Sequence, residues 1–121
     1  HGSAVVEKGK IEYPGNPCGF LVRMDDSFIY HAGDTGLFGD MKLLGDMYKI
    51  DIAFLPIGDN FTMGPEDALI AAGLLRPRMI VPIHYNTFPL IEQDGEEFKK
   101  SIEDNTNSIC YVLQPGDILE A

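Results

Sequence analysis

The chain has 121 residues, 45% of them hydrophobic, and a formal net charge of −10. That is one domain's worth, with enough apolar content to bury a core without disulfides or metals as staples. The acidity argues against a phosphate-backbone surface, which needs clustered Lys and Arg. No apolar run reaches the roughly 18–20 residues that a membrane helix needs.

Residues 4–8 and 18–24 read as strands, with a turn cluster at Pro14-Gly15-Asn16-Pro17 between them. Asp25-Asp26-Ser27 marks a tight turn into a third strand, 28–31, which makes a hairpin. Leu37, Met41, Leu44 and Tyr48 recur at steps of three and four, the apolar stripe of a helix about three turns long. Residues 51–57 are nearly all apolar, as in a strand buried on both faces. They empty into the loop 58–64. Pro65-Glu66-Asp67 then opens a helix whose buried face is Ala68, Leu69, Ala72 and Leu75, and Pro77 stops it. A buried strand at 79–83 ends at His84, and the loop 85–89 follows. A weaker helix at 95–103, a strand at 109–113, a Pro115-Gly116-Asp117 turn and a short last strand complete the series. The order predicts an α/β fold: a single unit over 1–121, one mixed sheet with its helices on one face.

Cys18 and Cys110 lie in apolar stretches and lack Cys-x-x-Cys partners, so they read as buried free thiols in a reducing, cytoplasmic setting. The chain starts at His1 with no initiator Met, which suggests processing or a piece of a longer polypeptide.

Asp34 and His84 share one kind of position. Each follows an apolar strand-like segment and opens a loop, where ligands collect in open α/β sheets. Singly, Asp34 reads as a helix cap and His84 as a satisfied strand-end histidine; together they suggest a metal site. His1 is a cloning scar or a third ligand, and its spacing favours the scar. His31 and Thr35 flank Asp34 and suit supporting roles, His31 on the opposite side of an extended strand. Asp34-Thr35-Gly36 also matches the catalytic triplet of homodimeric aspartic proteases. Two amphipathic helices and the Ala32-Gly33 lead-in count against that reading.

The strings Tyr30-His31-Ala32-Gly33-Asp34-Thr35-Gly36, residues 52–68 (through Gly58-Asp59-Asn60-Phe61-Thr62-Met63-Gly64-Pro65-Glu66-Asp67-Ala68) and Val81-Pro82-Ile83-His84-Tyr85-Asn86-Thr87-Phe88-Pro89 together resemble the metallo-β-lactamase-fold superfamily, specifically its small, uncharacterised metal-dependent hydrolases. The resemblance implies the C-terminal half of a four-layer αββα sandwich. It also implies two divalent ions, zinc first and manganese second. His1 would ligate one, Asp34 would bridge both, and His84 would ligate the other, which reverses the preference for a scar at His1. Asp34 and His84 would be catalytic through a metal-activated hydroxide attacking an ester, lactone or phosphoester. Asn60, Phe61, Thr62, Met63, Tyr85, Asn86 and Phe88 would line the substrate mouth. The family's His-x-His-x-Asp-His motif is absent. The expected partners are therefore an N-terminal half and a small-molecule substrate, with homo-oligomerisation open and no membrane or nucleic acid. The rival reading is a non-catalytic fragment or domain-swapped module that binds no metal.

Overall fold

The computed structural model describes residues 5–12 and 15–120. A two-stranded hairpin, β1 (Val5–Glu7) and β2 (Lys10–Glu12), comes first. The reading above missed β2. The turn is Lys8-Gly9, both residues with positive φ (50° and 78°), the handedness that suits a two-residue hairpin loop. Only Gly9 signalled it.

The main sheet has five strands in sequence order: β3 (Phe20–Met24), β4 (Ser27–His31), β5 (Ile50–Pro56), β6 (Met79–Ile83) and β7 (Ile109–Cys110). The β3–β4 hairpin is antiparallel, and every pairing from β4 to β7 is parallel. Three helices provide the crossovers: α1 (Met41–Met47), α2 (Pro65–Leu75) and α3 (Gly95–Asn105). Parallel strands share a direction, so the carboxyl ends of β4, β5 and β6 all reach one edge of the sheet.

The helices pack on one face. Tyr30, Ala53, Leu55, Ile80 and Cys110 point into a core that includes Met41, Ala68, Ala71, Ala72, Leu75, Phe98 and Ile102. The other face is thinly covered. Ile52, Met79 and Val81 are buried there with Ile29, Phe54, Ile83, Tyr111, Leu113 and Leu119 partly buried around them, while Phe20, Val22, Met24 and Ile109 are exposed. This is the expected α/β architecture, a mixed sheet with helices on one side.

α2 has the expected bounds. Pro65 fits its first turn, and Arg76 ends it in a left-handed conformation just before Pro77. α3 runs to Asn105, capped by Asp94, whose carboxylate accepts from the backbone N–H groups of Glu96 and Glu97 at 2.9 and 3.1 Å. α1 is shorter than the apolar stripe suggested. Leu37 and Phe38 pack on the core from a coil, and Gly39-Asp40 delays the first helical turn. β7 is also short, and no strand follows the turn at Pro115-Gly116 among the described residues.

α1 crosses α2 closely at Gly45, where an added Cβ would overlap the Leu74 carbonyl oxygen and lie 2.8 Å from that of Leu75. Arg76 clamps the crossing by donating to the Gly45 carbonyl and to Asp46. Gly45→Ala is expected to destabilise by about 1–3 kcal/mol, as overpacking does. Gly73→Ala, with nothing within 4 Å, should be neutral or stabilising by up to about 1 kcal/mol. Urea unfolding of the two variants checks the contrast.

Candidate metal centre

β4 continues past its last residue through one more ladder bond, Ala32 N–H to the Phe54 carbonyl at 3.0 Å. Gly33 then turns the chain with φ 68°, a conformation glycine takes without steric cost. Asp34 leaves this turn with its side chain 70% exposed. His31 braces the turn. Its Nδ1 accepts from the Gly33 N–H at 3.1 Å, and its ring stacks on Phe54 with centroids 5.6 Å apart. Thr35 is buried, with its hydroxyl donating to the Gly36 carbonyl at 2.7 Å. Its own carbonyl accepts from Met63 N–H at 2.8 Å, which ties the Asp34 turn to the loop after β5.

His84 follows β6 directly and has φ 55°, rare for a residue with a side chain. Its Nδ1 lies 2.8 Å from Asp34 Oδ1. β4 and β6 are not neighbours, so the two side chains meet across the end of β5. Two residues 50 positions apart thus form an imidazole–carboxylate pair at the sheet edge where ligands are expected.

The mouth residues divide. Phe61 and Phe88 are exposed, 64% and 43%, and their rings lie 6.1 Å apart. Thr62 is half-buried and donates to the Met63 carbonyl. Met63, expected at the mouth, is instead fully buried in the helix-side core. Tyr85 also turns to that core. A Cβ on Gly95 would come within 2.9 Å of its hydroxyl, and burial raises the phenol above its ordinary pKa, with the charges of Cys110 and Glu96 adding to the shift. Asn60 and Asn86 fasten loops: Asn60 Nδ2 donates to the Leu90 carbonyl at 2.6 Å, and Asn86 Oδ1 accepts from Gln93 N–H at 2.7 Å. Gln93 and Leu90 had no signal in the sequence. His1 lies outside the described residues.

The oxygen and nitrogen donors fit a divalent cation with bonds of about 2.0–2.2 Å, as a partial set. Among the described residues no group of three His, Cys, Asp or Glu is close enough to hold a metal. The aspartic-protease alternative fails with the fold, because Asp34 faces an imidazole in an α/β sheet.

Residues 2–84 match the family model described as the beta-lactamase superfamily domain. The chain belongs to that family. It is 56% identical over 121 residues to a UPF0173 metal-dependent hydrolase of Desulforamulus reducens, covering 99% of this chain and 53% of the relative. A second UPF0173 metal-dependent hydrolase, from Pelotomaculum thermopropionicum, is 57% identical over 113 residues, 93% of this chain and 50% of that protein. The structure of Igni18, a metallo hydrolase from Ignicoccus hospitalis, superposes with a TM-score of 0.81 at 46% identity, covering 85% of this chain and 45% of that one. The chain therefore has the metallo-β-lactamase fold and spans about half the length of the curated relatives it matches.

The thiols correct the expectation of two buried cysteines. Cys18 is exposed, ahead of β3, and only Cys110 is buried, its pKa pushed up to about 12 mainly by desolvation. Only thiolate is alkylated readily, so iodoacetamide at pH 8 should label one cysteine in the native chain and both in urea. Intact-mass spectrometry counts the adducts.

Proposed function

We propose that this chain is the C-terminal half of a metal-dependent hydrolase, catalytic when an N-terminal half completes the fold. The 2.8 Å contact between Asp34 and His84 carries the reading. It joins an oxygen donor and a nitrogen donor from two strand ends, in a chain whose relatives are named metal-dependent hydrolases. Asp34, on its exposed glycine turn, offers two carboxylate oxygens and can bridge two ions; His84 supplies one imidazole nitrogen. His31 holds the Gly33 N–H and so fixes the turn from which Asp34 projects. Divalent ions bound there, zinc before manganese, would supply Lewis acidity and lower the pKa of water. Phe61 and Phe88 offer the apolar surface next to this edge for a small substrate with an ester, lactone or phosphoester bond. A chain with a net charge of −10 is poorly suited to nucleic acid. Two unpaired cysteines favour a reducing compartment, the cytoplasm.

The exposed edges of the sheet support the missing half. On the side opposite the helices, Phe20, Val22 and Met24 on the edge strand β3 stand exposed in a row, and so does Ile109 on the other edge strand β7; exposed apolar rows of this kind suit an interaction surface. The second reading, a fragment without metal of its own, is favoured by the two-donor site. Both readings agree that the isolated chain is inactive.

The test uses the chain completed by an N-terminal half from a relative, assayed on ester, lactone and phosphodiester substrates. Hydrolysis should be lost with EDTA and restored by zinc or manganese. Asp34→Asn and His84→Ala should each lower kcat/KM by more than about 100-fold, beyond the 10–100-fold typical of residues behind the ligands. Hydrolysis that survives both substitutions would remove Asp34 and His84 from the mechanism.

A further inference from the structure

Gly58, just past β5, is buried between two groups that leave no room for a side chain. A Cβ placed there would overlap the His84 carbonyl oxygen and stand 3.0 Å from Ile91 Cβ and 3.3 Å from Ile91 Cγ2. Ile91 is fully buried. Ile57 N–H donates to the Ile83 carbonyl at 3.1 Å, which fixes the strand ends in register one residue earlier. The Gly58 carbonyl is held as well, by Gln93 Nε2 at 3.3 Å.

The oxygen pressed against Gly58 belongs to the residue whose backbone is turned into the left-handed region, His84 with φ 55°. That oxygen can retreat by turning the peptide plane after His84 (its ψ), by rotation about the φ of His84, or by parting β5 from β6. Rotation about φ swings the Cα–Cβ bond that carries the imidazole. The bare Cα of Gly58 and the backbone turn that aims His84 are thus in direct steric contact.

We propose that Gly58 is a positioning residue for His84: its missing side chain is the space that lets His84 adopt the left-handed turn that brings its imidazole onto Asp34. The consequence for metal binding rests on the reading of Asp34 and His84 as ligands; the steric claim does not. Neither Asp59 nor Asn60, which also have positive φ, would need to move for this linkage to hold.

The experiment compares Gly58→Ala, His84→Gly, the double variant and the control Gly73→Ala in the completed protein. Gly73 lies exposed on α2 with nothing within 4 Å of an added Cβ. In chelator competition, Gly58→Ala should weaken zinc binding by about 10–100-fold, the usual effect of misplacing a ligand from behind, and Gly73→Ala should leave it unchanged. In the metal-free protein, Gly58→Ala should lower the melting temperature. In the His84→Gly background that drop should shrink to less than about half, because glycine at 84 can turn its carbonyl away freely. Absence of zinc binding in the unsubstituted protein would overturn the metal reading, and the melting series would still decide the steric claim. An undiminished drop in the double variant, or unchanged zinc affinity in Gly58→Ala, overturns the proposal. If Gly58→Ala does not fold, recovery of folding in the double variant supports the proposal, and a double variant that stays unfolded overturns it.

Discussion

Parallel pairing of β4, β5 and β6 is the constraint on which the site depends. It sends three consecutive carboxyl ends to one edge, so that residues far apart in sequence leave the sheet side by side. At that edge the backbone enters the left-handed region at Gly33 and at His84, and again at Asp59, Asn60 and Asn86 in the loops that follow. Glycine does so without steric cost; histidine does not. A residue held in such a conformation persists only where its surroundings over-determine it. Here they do: the Ile57–Ile83 backbone bond, the packed Ile91 and the bare Cα of Gly58 all act on the same turn.

The two faces of the sheet have different lives. One is sealed by α1, α2 and α3 over Leu55, Ile80 and Cys110. The other buries Ile52, Met79 and Val81 at its centre and leaves Phe20, Val22, Met24 and Ile109 exposed on its edge strands. The proposed N-terminal half would pack on this side, and the chain accounts for about half of the length of the relatives it matches. The proposed metal pair lacks a third donor among the described residues, and the edge strands of the sheet keep apolar side chains exposed.

Much of this was legible in the sequence because it is written in apolar runs and their ends. The strand-like stretches before Asp34 and His84 made both residues candidates, and Pro65 with Pro77 bounded α2. The remainder depends on tertiary choices that local pattern does not encode. Met63 sits in a glycine-flanked loop that gives no period to read, yet it is drawn into the core through its bond to Thr35. Tyr85 turns to the helix side because the left-handed backbone at His84 breaks the alternation that an extended strand would have kept. Asn60 and Asn86 have the chemistry of substrate-binding groups, but loop carbonyls and amides engage them first. The strain at His84 had no sequence signature except a glycine 26 residues earlier, whose role emerges only when the two strand ends lie together.

The central claim is that Asp34 and His84 are half of a metal centre that this chain does not complete alone. Elemental analysis of the purified chain, by itself and after co-purification with an N-terminal half, tests that most directly. The account predicts negligible zinc or manganese on the isolated chain, stoichiometric metal on the complex, and loss of that metal when Asp34→Asn and His84→Ala are combined. A complex that retains its full metal content with both residues replaced would contradict it.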